Sequence, residues 1–512
     1  MLVKTYGSAI QGVDAIIVTA EVSIESGLNF FIVGLPDNAV RESQYRIEAA
    51  LRHNGFKIPN RKIVVNLAPA DIRKEGSAYD LTIAMGILAA TGHINAGRLG
   101  SCLIMGELSL DGGLQPVRGA LPIALRAREE GFDGLVLPAA NAREAAVVNN
   151  LRVYGIDNIR QLAGFFNGET GLAEVKVDAR REFFSCIGDF ELDFADVRGQ
   201  ENIKRALEVA ASGGHNLLMI GSPGSGKTMM AKRIPGVLPP FSLREALETT
   251  KIHSVAGLLG RNTSLMTTRP FRSPHHTISH AAMAGGGSTP SPGEISLAHN
   301  GVLFLDELPE FRHSVLEVLR QPLEDAVVII SRARFRVEYP ASFMLVASMN
   351  PCPCGYFNHP AKECVCAPGA VSRYLSRISG PLLDRIDIHL EVSPVPFSEL
   401  KNKKQAESSR EIRSRVVRAR ELQAKRYRDA KGVYCNAQAG TGMLHKVCNP
   451  CSAGSTLLKT AMEKLDLSAR AYGRILKVSR TIADLEGSDQ IRPVHIAEAI
   501  HYRSLDRESF WR

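Results

Sequence analysis

The chain has 512 residues, of which 45% are hydrophobic and 22% are charged, and these values are ordinary for a soluble globular protein. At about 150 residues per domain, this length predicts roughly three domains. No apolar run approaches the ~20 residues of a membrane span, and the N-terminus lacks a signal-peptide pattern. We therefore expect a cytoplasmic protein with no membrane partner. The net charge of +9 favours an anionic partner, for which nucleic acid is the natural candidate.

The first predicted domain covers residues 1–170. Alternating apolar runs in this part predict strands and two apolar stretches predict helices, which together indicate an α+β domain without a phosphate loop. A polar connector is predicted at 171–192. It is followed by an α/β nucleotide-binding core at 193–398 and by a helical region at 399–512.

The clearest motif is a phosphate-binding loop that fits the pattern G-x-x-x-x-G-K-[ST] without a mismatch. An apolar strand precedes it and a helix follows it, which is the context that such a loop requires. The glycines let backbone N–H groups cradle phosphates, Lys227 can reach the β- and γ-phosphates, and the Thr228 hydroxyl can bind Mg²⁺. The residues of this loop are Gly221, Ser222, Pro223, Gly224, Ser225, Gly226, Lys227 and Thr228.

A second motif supplies acidic residues. The apolar run that begins at Gly301 ends in Asp306 and Glu307, an arrangement that delivers one carboxylate to a metal ion and the next to an attacking water as general base. The alternative is a core strand that meets a helix N-terminus, where acidic residues are also favourable. Asn350 follows the predicted strand 343–348, where its amide can orient a water against the γ-phosphate.

Two stretches are strongly basic. Arg332, Arg334 and Arg336 are predicted to lie on a β-hairpin, where they either follow a nucleic-acid backbone or form a solvated face. Residues 401–431 contain twelve Lys/Arg and four Asp/Glu, a net charge of +8. Apolar residues at helical spacing predict a helix with one buried stripe there, and its charged side is either solvated or contacts phosphates.

Four of the nine cysteines are clustered, namely Cys352, Cys354, Cys364 and Cys366. Two close pairs of thiols can supply the four tetrahedral ligands of a structural Zn²⁺. The alternatives are reduced thiols that serve only in packing, and a redox pair. Cys448 and Cys451 form a weaker candidate pair, which Cys435 could complete.

Three arginines are candidates for contacts with the transferred phosphate. Arg385 follows apolar helix residues and can project towards a neighbouring subunit, or it can form a surface pair with Asp384 or Asp387. Arg470 and Arg474 lie in the first turns of a predicted C-terminal helix, where an arginine can lean over the nucleotide or remain on the surface. The histidine pair at 275–276 is interpreted as a surface or core feature rather than a metal site.

The first domain resembles the peptidase domain of Lon-type proteases, on the basis of residues 74–78, 106–110 and 116–119. In active members of that family a serine and a lysine carry out nucleophilic chemistry. Ser77 falls near the serine position, but residues 120–122 are Ala-Leu-Pro where the lysine is expected. We therefore expect an inactive domain with a structural or assembly role.

Taken together, the chain resembles the magnesium-chelatase-like AAA+ proteins of the YifB/ComM type. The resemblance extends over nearly the whole chain: the Lon-like domain, 221–228, 301–308, 350–355, 376–389 and 467–472. It implies a multidomain α/β fold with a Lon-protease-like α+β domain, a AAA+ core with a parallel sheet and a helix-2 insertion, and a C-terminal helical lid. It also implies ATP and Mg²⁺ as ligands and a hexameric ring with ATP sites between subunits.

The resemblance assigns roles to individual residues. Lys227 and Thr228 bind phosphate and Mg²⁺, Asp306 is the metal ligand, and Glu307 is the catalytic base. Asn350 is the first sensor and Arg385 is the finger that acts on a neighbour. Arg470 is the second sensor, with Arg474 as its substitute.

These features lead to two function hypotheses and one rival that we consider weak. The first is an ATP-driven DNA motor that supports branch migration or recombination during natural transformation. The second is a chelatase-type ATPase that remodels a partner protein without nucleic acid. A protease is disfavoured because the lysine is missing.

Overall fold

The computed structural model describes residues 2–185, 190–260, 263–287, 290–332, 335–359, 361–394, 406–430, 432–465 and 467–503. The chain forms two compact units, Met1–Cys186 with Ser242–Thr267, and Ile187–Phe241 with Thr268–Arg512. Across the described ranges, no helix combines the length and apolarity that crossing a membrane requires.

The strands and helices alternate along most of the chain, in agreement with the predicted α/β class. The strands are β1 Leu2–Gln11, β2 Asp14–Glu25, β3 Phe30–Val33, β4 Lys62–Ala68, β5 Cys102–Ile104, β6 Glu107–Leu108, β7 Leu114–Gln115, β8 Gly134–Pro138, β9 Arg152–Ile156, β10 Leu217–Gly221, β11 Phe271–Arg272, β12 Gly285–Gly286, β13 Ser291–Pro292, β14 Val302–Leu305, β15 Val327–Arg332, β16 Phe335–Pro340, β17 Met344–Met349 and β18 Ile388–Val392.

Helices of three to five turns cover the sheets, and shorter helical turns connect them. The helices are α1 Asn38–His53, α2 Asp80–Ala90, α3 Ala120–Glu129, α4 Ala139–Ala145, α5 Ile159–Asn167, α6 Ala179–Ser185, α7 Glu201–Gly213, α8 Lys227–Ala231, α9 Ile234–Val237, α10 Leu243–Ala256, α11 His280–Ala284, α12 Glu294–Leu297, α13 His313–Glu317, α14 Arg320–Asp325, α15 Ala370–Leu375, α16 Gly380–Leu383, α17 Ser409–Arg426, α18 Thr441–Val447, α19 Ser452–Leu465, α20 Ala469–Leu485 and α21 Pro493–His501.

The first unit is built on a mixed sheet. In its described residues the strand order is β3-β4-β2-β1-β5-β8-β9. Strands β1, β2 and β4 pair antiparallel, whereas β5, β8 and β9 pair parallel. Two clusters of buried apolar side chains pack in this unit, one including α1 and α2, the other including α3 and α4. This arrangement is the α+β domain that the alternating apolar runs predict.

The first unit also contains a segment that the predicted boundaries assigned to the nucleotide-binding core. Helix α10 lies in residues 242–267, within the predicted range 193–398, but it packs with the first unit. Leu247 packs against the apolar cluster that includes α3. Lys251 forms an ion pair with Asp14 at 2.6 Å, and Ser254 hydrogen bonds to the buried Glu144. The helix therefore buries its apolar side against a part of the chain that is distant in sequence, which the local pattern could not reveal.

The second unit is built on a parallel sheet. In the described residues its order is β11-β14-β17-β10-β18, and the four pairings are all parallel. Strands β10, β14 and β17 are fully buried, as expected when helices cover both faces of a parallel sheet. The antiparallel hairpin β15–β16 confirms the predicted hairpin.

The C-terminal helices share the core of the parallel sheet. Ile412 of α17, Ile475 and Ile482 of α20 and Ile496 of α21 belong to the same buried cluster as Leu217 of β10. The helical C-terminal region is therefore confirmed, and its described residues, 406–430, 432–465 and 467–503, lie in the same compact unit as the nucleotide-binding core and bury their apolar faces against it.

Helix α17 carries most of the basic run at 401–431. Ile412, Val416 and Ala419 are buried, which confirms the predicted stripe. Several of its arginines bond within the second unit: Arg415 with Glu208 and Glu407, Arg420 with the carbonyl of Ala211, and Arg426 with Asp484. Much of the positive charge of this helix is thus used in internal contacts rather than in a solvated face.

A buried carboxylate ties the sheet to helix α20. Asp387 lies directly before β18 and pairs with Arg474 at 2.6 Å, while its other oxygen lies 3.3 Å from His215 Nδ1. His215 in turn contacts the hydroxyl of Thr481 at 2.8 Å. Burial by itself would raise the pKa of Asp387, but the charge of Arg474 and the contact with His215 lower it below its ordinary value.

Replacing Arg474 should therefore destabilise the second unit. Removing one partner of a buried ion pair costs about 3–5 kcal/mol, so Arg474→Ala should lower the free energy of unfolding by that order at pH 7. Arg470→Ala is the matched control, because Arg470 is exposed and its pair with Asp384 is worth about 1 kcal/mol or less. Urea unfolding, read by hydrogen exchange in α20 and β18, measures both changes.

The difference in the free energy of unfolding between wild type and Arg474→Ala should also depend on pH. Because the folded-state pKa of Asp387 is lowered, its contribution is present above the unfolded pKa of about 3.9 and is lost as the pH falls below it. The deficit of the variant should therefore shrink as the pH falls below about 4. A deficit that stays constant over this range would contradict the pairing.

Candidate nucleotide site

The phosphate loop begins where β10 ends. A Cβ at Gly221 would lie 2.3 Å from the carbonyl oxygen of Val392, so the close approach of β18 requires glycine here. Gly224 and Gly226 have φ of +77° and +89°, a backbone conformation that glycine adopts without strain. Helix α8 begins at Lys227, directly after Gly226. The loop therefore has the backbone shape that turns N–H groups towards an anion.

Lys227 is held in the centre of this loop. Its ammonium donates to the carbonyl oxygens of Gly221 at 2.7 Å and Ser222 at 3.0 Å, and to Asn350 Oδ1 at 3.2 Å. Burial lowers the pKa of Lys227, while the nearby charges of Asp306 and Glu307 act to raise it. The ammonium is thus buried and supported mainly by neutral oxygens, a setting in which a phosphate is a stronger partner.

The predicted Mg²⁺ ligands lie side by side. Thr228 Oγ1 donates to Asp306 Oδ2 at 2.7 Å, and Ser348 of β17 hydrogen bonds to the other oxygen of Asp306. A hydroxyl and a carboxylate are oxygen donors of the kind that Mg²⁺ prefers. Three buried polar atoms near the loop have no hydrogen-bond partner among the described residues, namely Gln200 Oε1, Ser222 Oγ and Ser225 Oγ. The residues present therefore fit a magnesium–triphosphate ligand.

Glu307 directly follows Asp306 and turns away from the strand. Its φ of +55° is unusual for a residue with a side chain, and the side chain is 57% exposed. His276 Nδ1 lies 3.7 Å from Glu307 Oε2, and the His276 ring also packs edge-on against Phe311. Sequence reasoning left this histidine outside the site. The only available signal was its place after β11, a strand that pairs with β14.

The parallel sheet brings these side chains together. Strands β10, β14 and β17 all end at the same edge, and Lys227, Asp306 and Asn350 follow those three ends. We refer to this side of the sheet as the phosphate edge. The convergence is what the sequence predicts from strand exits: Lys227 donates to Asn350, and Asp306 accepts from Thr228, the residue next to Lys227.

The candidate arginines lie at the other edge of the same sheet. Arg470 pairs with Asp384 at 3.1 Å and Arg474 with Asp387, and both aspartates precede β18. Since β18 runs parallel to β10, this is the edge where β10 begins, about 13 Å from the phosphate loop at 3.3 Å per residue. We refer to it as the arginine edge. The nucleotide contact expected of Arg470 as a lid residue stays a prediction.

Arg385 lies at the arginine edge as well, but its guanidinium is folded back. It donates to the carbonyl of Pro381 at 2.5 Å and pairs with Glu324, and the residue is 9% exposed. The predicted alternative, a pair with Asp384 or Asp387, is wrong, because Arg470 and Arg474 occupy those carboxylates.

Of the three arginines predicted on the basic hairpin, only some lie in the part of the chain that the structure describes. Arg336 of β16 is exposed and pairs with Glu338 two residues along the strand at 3.0 Å. Arg332 is the last residue of β15, and Arg334 lies outside the described residues.

The four clustered cysteines converge after β17. The Sγ atoms of Cys352, Cys354, Cys364 and Cys366 all lie within 4.8 Å of one another. Cys435, Cys448 and Cys451 do not form a comparable group: in the described part of the chain, no other set of three or more potential metal ligands was found. Cys448 is buried in the apolar core instead.

Ser77, which falls near the serine position of the Lon-type peptidases, lies in the first unit. Ser77 hydrogen bonds to Glu107, and the buried Lys74 donates to the carbonyl of Pro69. Residues 120–122, where a lysine was sought, are the buried first turn of α3. The lack of peptidase activity stays a prediction.

Comparison with known families covers most of the chain. The family described as magnesium chelatase, subunit ChlI, matches residues 193–400, and a second description, subunit ChlI of Mg-chelatase, matches residues 20–141. The C-terminal part of the same subunit matches residues 406–503. More distantly, the magnesium-chelatase 38 kDa subunit of Rhodobacter capsulatus is 24% identical over 31% of this chain and 50% of its own length.

Close relatives cover the chain almost completely. The competence protein ComM of Haemophilus influenzae is 43% identical over 99% of this chain and 98% of its own. The uncharacterized YifB proteins of Salmonella typhimurium and Escherichia coli are 42% and 43% identical over 97% of this chain and 96% of theirs. With the phosphate loop, the paired acids and the parallel sheet in place, the chain belongs to the YifB/ComM family of magnesium-chelatase-like AAA+ ATPases.

Proposed function

We propose that this chain is an ATP-hydrolysing ring motor that acts on DNA. The observation that carries the ATPase part is the convergence of Lys227, Thr228, Asp306 and Asn350 at the phosphate edge, with Glu307 beside them. The family implies ATP and Mg²⁺ as ligands, and these residues fit them. The proposed metals also include one structural Zn²⁺ at the cysteine cluster.

The chemistry follows from the side chains at the phosphate edge. The Lys227 ammonium exchanges its carbonyl partners for the β- and γ-phosphates of the substrate, and the Asn350 amide orients the attacking water. Glu307 accepts a proton from that water as general base, with His276 beside its carboxylate. Thr228 and Asp306 would hold Mg²⁺, which supplies positive charge to the phosphates.

The two edges of the sheet support the proposal of a ring assembly. Within one chain, Arg385 and Arg470 lie about 13 Å from the phosphate loop by strand length. A head-to-tail contact sets the arginine edge of one subunit against the phosphate edge of the next, and repetition of that contact closes a ring. We propose a hexamer in which Arg385, with Arg470, completes the site of a neighbour, while Arg474 stays paired with the buried Asp387 of its own chain.

DNA is the proposed substrate of the motor. The support is the net charge of +9, the basic hairpin β15–β16, and a relative whose name is competence protein. The hairpin is a better candidate contact than α17, because the arginines of that helix bond internally. We propose a role in branch migration or recombination during natural transformation. The rival function is ATP-driven remodelling of a partner protein without nucleic acid.

The DNA proposal predicts that ATP turnover rises when single-stranded or four-way branched DNA is added. Arg332, Arg334 and Arg336 should be changed to Ala together, and this variant should lose the stimulation. Three fewer phosphate contacts should also reduce the slope of log affinity against log salt, by about 2 for single-stranded DNA and about 3 for branched duplex DNA. Steady-state ATPase assays and salt titrations of DNA binding measure the two effects.

The matched control replaces three exposed arginines of the first unit, Arg41, Arg52 and Arg61, with Ala, and it should keep the stimulation. Glu307→Gln is the control without ATP hydrolysis, since an amide cannot act as a general base. Turnover that is unchanged with every DNA structure would reject the DNA proposal and favour protein remodelling.

The shared-site proposal predicts complementation between inactive variants. Lys227→Ala lacks the lysine that binds the phosphates, and Arg385→Ala lacks the arginine proposed to act on the neighbouring site. Each variant alone should therefore lose at least about 100-fold in ATP turnover. In a random mixture, about a quarter of the interfaces combine an intact loop with an intact finger. ATPase activity should therefore partly return on mixing, under conditions where mass photometry confirms rings. Mixed rings without recovered turnover would contradict the shared site.

A further inference from the structure

The sulfur atoms of the cysteine cluster have the spacing of ligands around a single metal ion. The Sγ distances are 3.3 Å for Cys352–Cys354, 3.7 Å for Cys352–Cys364 and 3.6 Å for Cys354–Cys364, and Cys366 lies within the same 4.8 Å limit. A tetrahedral Zn²⁺ with Zn–S bonds of about 2.3 Å sets its sulfurs about 3.8 Å apart.

Other uses of the four thiols fit this spacing less well. A disulfide would bring two sulfurs to about 2.05 Å. An iron–sulfur cluster distributes its four cysteines over two or four irons, so sulfurs on different irons lie farther apart than those around a single ion. The backbone also supports the cluster, since the N–H of Phe357 donates to Cys352 Sγ at 3.2 Å. Such donors stabilise a metal-bound thiolate.

The segment that carries the thiols packs directly against the phosphate loop. Gly355 has φ of +84°, and a Cβ there would lie 2.4 Å from Cδ of Pro223, the third residue of the loop. Only a residue without a side chain can make this contact. The turn after Cys352 thus rests on the ring of Pro223.

A second connection runs through the chain itself. The side chain of Asn350 accepts a hydrogen bond from Lys227. Asn350 lies two residues before the fully buried Cys352. Between β17 and α15, the described residues include no helix or strand. A metal that joins positions 352, 354, 364 and 366 would therefore replace secondary structure as the constraint on this segment.

We propose that Cys352, Cys354, Cys364 and Cys366 bind one Zn²⁺, and that this zinc site fixes the phosphate loop and Asn350 in the geometry that binds ATP. This inference rests on the nucleotide-binding part of the proposed function. The metal acts on nucleotide affinity through Gly355 and Asn350, and it has no part in the hydrolysis step. Loss of the metal releases the turn that supports Pro223, so the loop loses pre-organisation and ATP binds more weakly.

The metal is tested first on the full chain, purified under reducing conditions without added metal. Elemental analysis should give about one Zn²⁺ per chain for wild type and far less for Cys364→Ser. Cys451→Ser is the matched control, because it removes another partly buried cysteine outside the cluster and should keep the metal. Co²⁺ exchanged into the site should give the intense thiolate-to-cobalt absorption of a tetrahedral sulfur site. Protein without zinc, or equal zinc in both variants, would overturn the metal site.

The link to the phosphate loop is tested by the Kd of a fluorescent ATP analogue. Cys364→Ser should bind it about tenfold more weakly than wild type, and Cys451→Ser should bind it normally. Gly355→Ala should keep zinc but lose affinity, because its Cβ displaces Pro223. Far-ultraviolet circular dichroism confirms that each variant is folded.

The outcomes separate the two proposals. Zinc-free Cys364→Ser with wild-type affinity, or Gly355→Ala with zinc and wild-type affinity, would overturn the link. Zinc-loaded wild type that does not bind the analogue would instead reject the proposed nucleotide function and, with it, the link, while the metal site would stand.

Discussion

The parallel pairing of β10 with β17 and β18 decides which side chains can meet in this protein. Parallel strands end at a common edge, so residues that follow β10, β14 and β17 converge although Lys227 and Asn350 are 123 residues apart in sequence. By the same constraint, residues that precede β18 are kept at the opposite edge. The phosphate loop and the candidate arginines therefore lie apart in one chain because of strand direction, not because of any local preference.

The features that the sequence predicts correctly are those that depend on a single strand or helix and its exit. The phosphate loop could be placed at the end of β10 because the glycines and the lysine that bind phosphate have a fixed spacing, which does not depend on the rest of the fold. The paired acids and Asn350 were placed by the same reasoning, since a buried apolar run has a definite end. The stripe of α17 was predicted from spacing alone, and Ile412, Val416 and Ala419 are buried as expected.

The features that could not be predicted depend on partners far along the chain. The positive charge of α17 suggested solvent or nucleic acid, but Glu208 and Asp484 pair with its arginines from α7 and α20. Helix α10 lies between two nucleotide-binding motifs in sequence, yet it packs on α3, because burial of its apolar side decides its place. His276 reaches Glu307 from a loop whose path no periodic pattern describes. In each case the deciding contact is a tertiary one.

The three arginines of the arginine edge differ in how readily they can change partners. Arg474 pairs with a buried carboxylate that also contacts His215, so its release would leave a charge uncompensated in the core. Arg470 and Asp384 are both exposed, and Glu324, the partner of Arg385, is 57% exposed. Water can solvate both of these carboxylates once their arginines leave, and for the exposed Arg470–Asp384 pair the exchange costs about 1 kcal/mol or less. A phosphate on a neighbouring subunit is a stronger partner than an exposed carboxylate. Arg385 and Arg470 are therefore suited to the role proposed for them at a neighbouring site, whereas Arg474 is suited to hold the helix that carries Arg470.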